Sequence, residues 1–259
     1  MGGVNLLEAM VDAARAAGEI ALRYYRGTFD VIIKADQTPV TQADREAEQL
    51  IVERLGHAFP DCGFLGEEFG SSGAKDRRFI IDPIDGTKNF VRGIPVWATL
   101  LALEEDGEVT AGVIHNPALG EMFSARRGGG AFRNGQPISV SGIARLAEAQ
   151  LIHSSLRPLR EAGYWNGFAK LVDATDRQRG FGDYMGYTLV AEGKAEIYAE
   201  IYEERSGLKP WDLAPCKILV EEAGGVFTDL HGRPTIYTGS AVATNGHLHE
   251  AVLGLLRAP

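Results

Sequence analysis

Asp82-Pro83-Ile84-Asp85-Gly86-Thr87-Lys88-Asn89-Phe90 decides the reading of this chain. Just before it, Arg77-Arg78-Phe79-Ile80-Ile81 carries the apolar, β-branched bias of a buried strand. Pro83 has no N–H to give to a ladder, so the strand is predicted to end at Asp82. Gly86 and Thr87 open a short polar segment able to start a helix, whose first amides are free to face an anion. Two carboxylates therefore stand at a strand end, suited to a hard cation, beside amides suited to a phosphate. The same residues are good turn formers, because Asp caps turns through its own side chain. Taken alone, the stretch leaves both readings open: metal-assisted phosphoryl chemistry and a plain capped turn.

The 259 residues, 45% hydrophobic and 24% charged, have an ordinary globular composition and enough length for one large domain or two tightly joined ones. A net charge of -9 argues against nucleic acid or an anionic membrane as main partner. It also means that a bound phosphate needs local positive charge, which a divalent cation supplies. Cys62 and Cys216 have neither metal-site spacing nor the density of a disulfide scaffold, and are expected in the core. No apolar run approaches the ~20 residues of a membrane span. Met1-Gly2-Gly3-Val4-Asn5 lacks the basic start of a signal peptide, so a cytoplasmic location is expected.

Outward from the central stretch, the pattern is mixed α/β. Asn5 to Tyr25 carries a helical apolar stripe stopped by Gly27, and Val31-Ile32-Ile33 reads as a short strand. Thr38-Pro39-Val40 reads as a loop, and Thr41-Gln42-Ala43-Asp44 as the cap of a helix to about Leu55. Cys62 to Gly66 is a brief strand delivering Glu67 and Glu68 to its end, followed by a polar loop from Gly70 to Asp76. Val96 to Leu103 and Val109 to His115 are strands around an Asp106-Gly107 hairpin signal, and Glu121 to Arg126 continues the sheet. Gly128-Gly129-Gly130 and Asn134-Gly135 mark turns; no Lys-Ser or Lys-Thr follows the triple glycine, so it is no P-loop.

The second half alternates. Leu151-Ile152 is followed by a helix near Arg160 to Val172, a helix from about Met185 to Ala191, and a strand from Ala195 to Ile201. A helix from about Asp212 to Ala223 is stopped by Gly224-Gly225. Strands at Val226-Phe227 and Ala241 to Ala243 and a helix from His247 to Leu256 complete the chain. There is no linker, repeat or low-complexity tract. One compact unit is expected over 1–259, with an N-terminal half to about 145 carrying the central stretch and a C-terminal α/β half from about 146.

Two further acids sit at element ends: Glu67 after Phe64-Leu65-Gly66, and Asp212 in Lys209-Pro210-Trp211-Asp212, where an N-cap is its plainest job. Gly66-Glu67-Glu68, the Asp-Pro-Ile-Asp-Gly-Thr-Lys-Asn-Phe stretch, and Trp211-Asp212 followed by Glu222-Ala223-Gly224-Gly225 resemble the inositol monophosphatase superfamily in order and spacing, over nearly the whole chain. The resemblance implies a layered αβαβα sugar-phosphatase fold and a magnesium-dependent phosphomonoesterase. It implies one Mg²⁺ held by Glu67, Asp82 and the Ile84 carbonyl, and a second held by Asp82, Asp85 and Asp212. Glu67 would also help hold a third, looser ion. Oxygen ligands without Cys or His suit Mg²⁺. Thr87, oriented by Asp44, and Glu67 would handle the attacking water, and the Gly86 and Thr87 amides would hold phosphate oxygens. As plain structure, Thr87 is a helix cap and Asp44 part of a capping box. Relatives are often homodimers.

Relatives acting on inositol phosphates place an acid seven residues before the metal-binding Asp, where this chain has Arg205, here taken as a substrate-side residue. Phe79 to Leu100 and Gly182-Asp183-Tyr184 look more like the histidinol-phosphate phosphatase branch, which implies hydrolysis of L-histidinol phosphate in histidine biosynthesis. An inositol-1-monophosphatase or a broad sugar or nucleotide phosphatase is the alternative. A cationic alcohol calls for an anion, and Asp183 is the candidate. Glu200, Glu203 and Glu204 form an acidic rim or, more plainly, a solvated face. The six histidines show no metal-site pairing, with His247 and His249 expected to face solvent at a helix start. Lys88 reaches phosphate or lies on the surface, and Trp97 and Trp165 are expected to pack. A haloacid-dehalogenase-type nucleophile motif fits poorly, because Pro83 and Ile84 separate the two aspartates where that motif has one residue. A non-catalytic metal or phosphate sensor of the same fold would typically have lost one of the four acids.

Overall fold

The computed structural model describes residues 5–26, 31–33, 39–202 and 207–257, with 31–33 and 39–41 described by backbone alone. In chain order, the first half contains α1 (Leu6–Tyr24), β1 (Val31–Ile33), β2 (Pro39–Thr41), α2 (Gln42–Ala58), β3 (Gly63–Gly66) and β4 (Gly70–Ser72). It continues with β5 (Arg77–Asp85), α3 (Thr87–Val91), β6 (Ala98–Glu105), β7 (Glu108–Asn116), β8 (Glu121–Arg126), β9 (Gly130–Arg133) and β10 (Gln136–Ile138). The second half contains β11 (Gln150–His153), α4 (Leu156–Glu161), α5 (Trp165–Ala174), β12 (Arg177–Gly180) and α6 (Asp183–Ala191). β13 (Ile197–Ile201), α7 (Pro210–Glu222), β14 (Val226–Thr228), β15 (Ser240–Thr244) and α8 (His249–Leu256) follow.

Five layers result. α1 and α2 cover one face of an eight-stranded sheet of order β10-β9-β8-β7-β6-β5-β3-β4, burying Met10, Ala13, Ala17, Ile51 and Leu55 against Phe79, Ile81, Leu101 and Val113. α6 and α7 fill the space between that sheet and a five-stranded sheet of order β12-β11-β13-β15-β14. α5 and α8 close the far face with Phe168, Leu171, Val252 and Leu256. The layered αβαβα architecture expected from the sequence is therefore the observed one. β5 shows why its sequence is a continuous apolar run: Phe79 and Ile81 face the outer helices, while Ile80 packs into the central layer. Each such side chain contributes roughly 1.5–3 kcal/mol on burial. α7 is buried at every residue from Leu213 to Val220, the pattern of a helix held between two sheets.

Several elements depart from the sequence reading. Pro39–Thr41 is a strand paired antiparallel with β1, and Gly70–Ser72 a short edge strand on β3; neither is loop. The stretch read as one helix near Arg160 to Val172 is two, broken around Gly163 at φ +85°. β12 was not anticipated, because Arg177-Gln178-Arg179 is a polar edge strand with no apolar alternation to betray it. α1 turns left-handed at Arg26, φ +62°, one residue before the expected Gly27, which lies outside the described residues. Trp97 is buried edge-on against Phe90, whereas Trp165 is 43% exposed and packs less than expected. His249 is buried, bonded to Thr228 and Thr244, and does not face solvent; His247 is exposed. Cys62 and Cys216 are both buried and free.

Candidate active site

The largest departure makes the site. β5 does not stop at Asp82 but runs through Pro83 to Asp85. Its pairing with β6 goes from Asp82 opposite Leu100 to Asp85 opposite Ala98, so three steps on one strand meet two on the other. Pro83 sits inside this bulge, where its missing N–H costs no ladder bond, and its carbonyl accepts the Thr99 hydroxyl at 2.9 Å. The Ile84 N–H turns back to Asp82 Oδ1 at 3.0 Å. On a regular strand, residues three apart point to opposite faces. The bulge cancels that alternation and lets both aspartates serve one site.

Asp212 joins them from the third position of α7, where its Oδ2 accepts the Lys209 N–H at 2.7 Å. It is thus not the N-cap itself but the acid that reaches back to it. Carboxylate oxygens of Asp82, Asp85 and Asp212 lie within 4.8 Å of one another. Burial lifts the Asp82 carboxyl well above the carboxylate range, and the neighbours that add to this are all acids: Glu67, Asp85, Asp212 and Asp44. Asp85 is raised by burial and then by Asp183 and Asp212. Asp212 is pushed up to about 7, by burial first and then by Glu67 and Asp183. Such a cluster is short of positive charge. Its donors are hard oxygens alone, which fits a divalent cation of the Mg²⁺ type rather than a soft metal.

Glu67 leaves β3 beside this cluster, its N–H held by the Ile81 carbonyl at 3.1 Å. Asp44 is buried on α2. The Thr87 hydroxyl donates to the Ile84 carbonyl at 3.0 Å, so the carbonyl implied as a metal ligand and the hydroxyl implied as a partner of water are joined directly. Gly86 caps α3 at φ +79°, where a Cβ would lie 2.9 Å from the Val96 carbonyl oxygen. Only glycine fits that turn. Lys88 is exposed, and its charge works against the upward shift of Asp183.

The opposite wall comes from the second half. Asp183 starts α6 at φ +56°, and its Oδ2 accepts Asn89 Nδ2 at 2.9 Å. The next amide, Tyr184 N–H, donates to Asp85 Oδ2 at 2.9 Å and so ties α6 to the acid cluster. Glu200, at the end of β13, is only 3% exposed and accepts the Tyr187 hydroxyl at 3.0 Å. Burial, then Asp183, pushes its carboxyl up to about 8. Asp85, Asp183, Tyr187, Glu200, Tyr202 and Asp212 line a cavity of about 200 Å³. Glu200 is therefore a wall of the cavity and not part of a solvated face. The sequence signal for it is an acid on an otherwise apolar strand, Ile197–Ile201, buried at every residue. Arg205, seven residues before Asp212, lies outside the described residues, as do Glu203 and Glu204.

With this geometry in hand, resemblance to known proteins is specific. The chain is 46% identical to a histidinol-phosphatase of Mycobacterium tuberculosis, over 98% of both chains. It is 42% identical to a histidinol-phosphatase of Streptomyces coelicolor, over 98% of this chain and 96% of the other. The crystal structure of extragenic suppressor protein suhB from Bartonella henselae superposes with a TM-score of 0.89 at 35% identity, over 97% of this chain and 98% of that one. The family model described as the inositol monophosphatase family matches residues 4–258, a span that takes in the β5 bulge, the start of α7 and both sheets. By fold, by matched length and by relatives, this chain belongs to the inositol monophosphatase family.

Proposed function

We propose that the chain is a Mg²⁺-dependent phosphomonoesterase that hydrolyses L-histidinol phosphate to L-histidinol and phosphate, a step of histidine biosynthesis. The observation that carries the hydrolase is the carboxylate cluster that Asp82 and Asp85 at the end of β5 form with Asp212 at the start of α7. The substrate is supported by the identity to histidinol-phosphatases and by two more acids, Asp183 and Glu200, in the cavity beside the cluster.

Asp82, Asp85 and Asp212, with Glu67 and the Ile84 carbonyl, would hold Mg²⁺, which when bound supplies a Lewis acid and lowers the pKa of water. The Thr87 hydroxyl spends its own proton on the Ile84 carbonyl, which leaves its lone pairs to accept from the attacking water. Glu67 would take up the proton that the attacking water loses, and Asp44, buried on α2, would orient Thr87. The amides of Gly86 and Thr87 bind phosphate oxygens. Water attacks phosphorus directly as the P–O bond to the alcohol breaks, with no covalent intermediate on the chain, and the leaving oxygen takes a proton from solvent to become the free alcohol. Asp183 and Glu200 then meet the alcohol, whose ammonium and imidazole N–H groups donate charge-assisted hydrogen bonds to the carboxylates. Organisation as one unit is supported by α7, which packs against strands of both sheets.

An inositol-1-monophosphatase or broader sugar phosphatase is the second reading, and Glu200 is compatible with it. Its carboxylate beside Tyr187 can also accept hydroxyls, so Arg205 does not by itself disfavour a polyol. Phosphate release from histidinol phosphate, inositol 1-phosphate and fructose 1,6-bisphosphate, with Mg²⁺ and with chelator, separates the readings. Histidinol phosphate should lead in kcat/KM by about tenfold or more, the value of one well-placed charged hydrogen bond. A lead by inositol 1-phosphate moves the substrate, and turnover undiminished by chelator removes the metal.

A further inference from the structure

Glu48 lies on α2, one turn after Asp44, and is 1% exposed. Its Oε2 accepts the Glu68 N–H at 2.9 Å and its Oε1 the Phe69 N–H at 3.0 Å. The preceding amide, Glu67 N–H, is held by the carbonyl of Ile81, the residue before Asp82. Three successive amides are thus anchored, one by the strand that carries Asp82 and two by a single side chain. Gly66 completes the fit. A Cβ there would stand 1.9 Å from Glu48 Oε1, so the carboxylate fills the space that any other residue at 66 would need.

A carboxylate is a costly choice for this place. Burial disfavours its charge, and the nearby Glu67 and Glu68 disfavour it further. What it offers in return is specific: two acceptor oxygens in a fixed fork, matched to two consecutive donors. The turn so clamped carries Glu67, whose direction decides whether its carboxylate reaches the cluster around Asp82.

We propose that Glu48 is a positioning residue for the metal centre: it fixes the backbone of the turn that presents Glu67 and thereby sets metal affinity without touching the metal. The inference rests on the reading of Glu67 and its neighbours as metal ligands. Outer partners of this kind are worth roughly 10–100-fold in metal affinity. Glu48→Gln keeps the shape but leaves one oxygen to serve two amides.

The test is calorimetric titration of the folded full-length protein with Mg²⁺, alongside thermal melting. Glu196→Gln is the control, since Glu196 is also buried and accepts the Gln150 N–H and the Ser141 hydroxyl, neither of them in the acid cluster. Glu48→Gln should raise the Mg²⁺ dissociation constant about 10–100-fold. Glu196→Gln should lower the melting temperature and leave Mg²⁺ affinity at the wild-type value. Equal Mg²⁺ affinity in Glu48→Gln and wild type overturns the inference while the metal reading stands. Failure of wild type to bind Mg²⁺ overturns the metal reading itself. If Glu48→Gln does not fold, Glu48→Asp, which keeps the charge but draws it back by one methylene, takes its place. It should bind Mg²⁺ more weakly than wild type, and wild-type affinity in Glu48→Asp overturns the inference equally.

Discussion

The two walls of the cavity are built in opposite ways. One wall is Asp85 with Asp212: Asp85 stands beside Asp82 on a short stretch turned to one side by a single bulge in β5, and Asp212 joins them from α7. The Asp183–Glu200 wall is assembled from the start of α6 and the end of β13, on a different sheet layer. Phosphate and metal ions make the same demands of every substrate, and a rigid local motif can meet them. An alcohol group varies from substrate to substrate. On the proposed reading its wall rests on other elements, joined to the first through the Tyr184 N–H on Asp85 and the Asn89 amide on Asp183.

Breaking the first wall should therefore cost the most. Asp82→Asn is expected to lower turnover by about three orders of magnitude, because single preorganised charges act on that scale. Glu68→Gln, one residue beyond Glu67, should lose far less. Steady-state kinetics at limiting Mg²⁺ compares them, and near wild-type activity in Asp82→Asn would remove it from the metal site.

The second wall should yield a smaller and substrate-dependent loss. Asp183→Asn is expected to reduce kcat/KM for histidinol phosphate about ten- to a hundredfold, the worth of a charge-assisted hydrogen bond of roughly 1.5–3 kcal/mol. A small neutral phosphate ester should be hydrolysed nearly as before. An equal fall on both substrates would show that Asp183 works through the Tyr184 amide and Asp85, and would erase the distinction between the walls.

The smallest effect is on stability, and it sharpens the comparison without mutation. In metal-free protein Asp212 titrates at about 7 and Glu200 at about 8, against roughly 4 for carboxyls in the unfolded chain. Their folded pKa values are raised, so the folded state binds more protons between those limits. The stability they contribute is full below about pH 4 and is lost as pH rises through about 7 to 8. Melting temperature of the metal-free protein should fall over that window, and Mg²⁺ should recover part of the loss. Recovery should belong to the Asp212 side alone, because Glu200 is not among the carboxylates gathered within 4.8 Å of one another. A Mg²⁺ stabilisation that does not grow with pH would contradict this origin.

Much of the fold was legible in local chemistry. Asp106-Gly107 and Asn134-Gly135, all at positive φ, turn the strands where their residue types predict. The apolar stripe of α1 faces the sheet as its period requires. What local chemistry mispriced were residues whose cost depends on a neighbour. Pro83 reads as a strand end until the bulge removes its need for an N–H. His249 reads as solvent-facing until Thr228 and Thr244 satisfy both ring nitrogens.

The sequence by itself determined which acids, amides and turn residues exist and in what order, because propensity, periodicity and motif spacing are properties of near neighbours along the chain. Only the tertiary structure decided that Asp82 and Asp85 share a side, that Asp212 meets them, that Glu200 walls the cavity, and that Glu48 holds the turn after Glu67. The first is set by the register of β5 against β6, and the others are contacts between segments apart in sequence. A buried carboxylate acquires its meaning from the groups that surround it in space, and one-dimensional order does not carry that information.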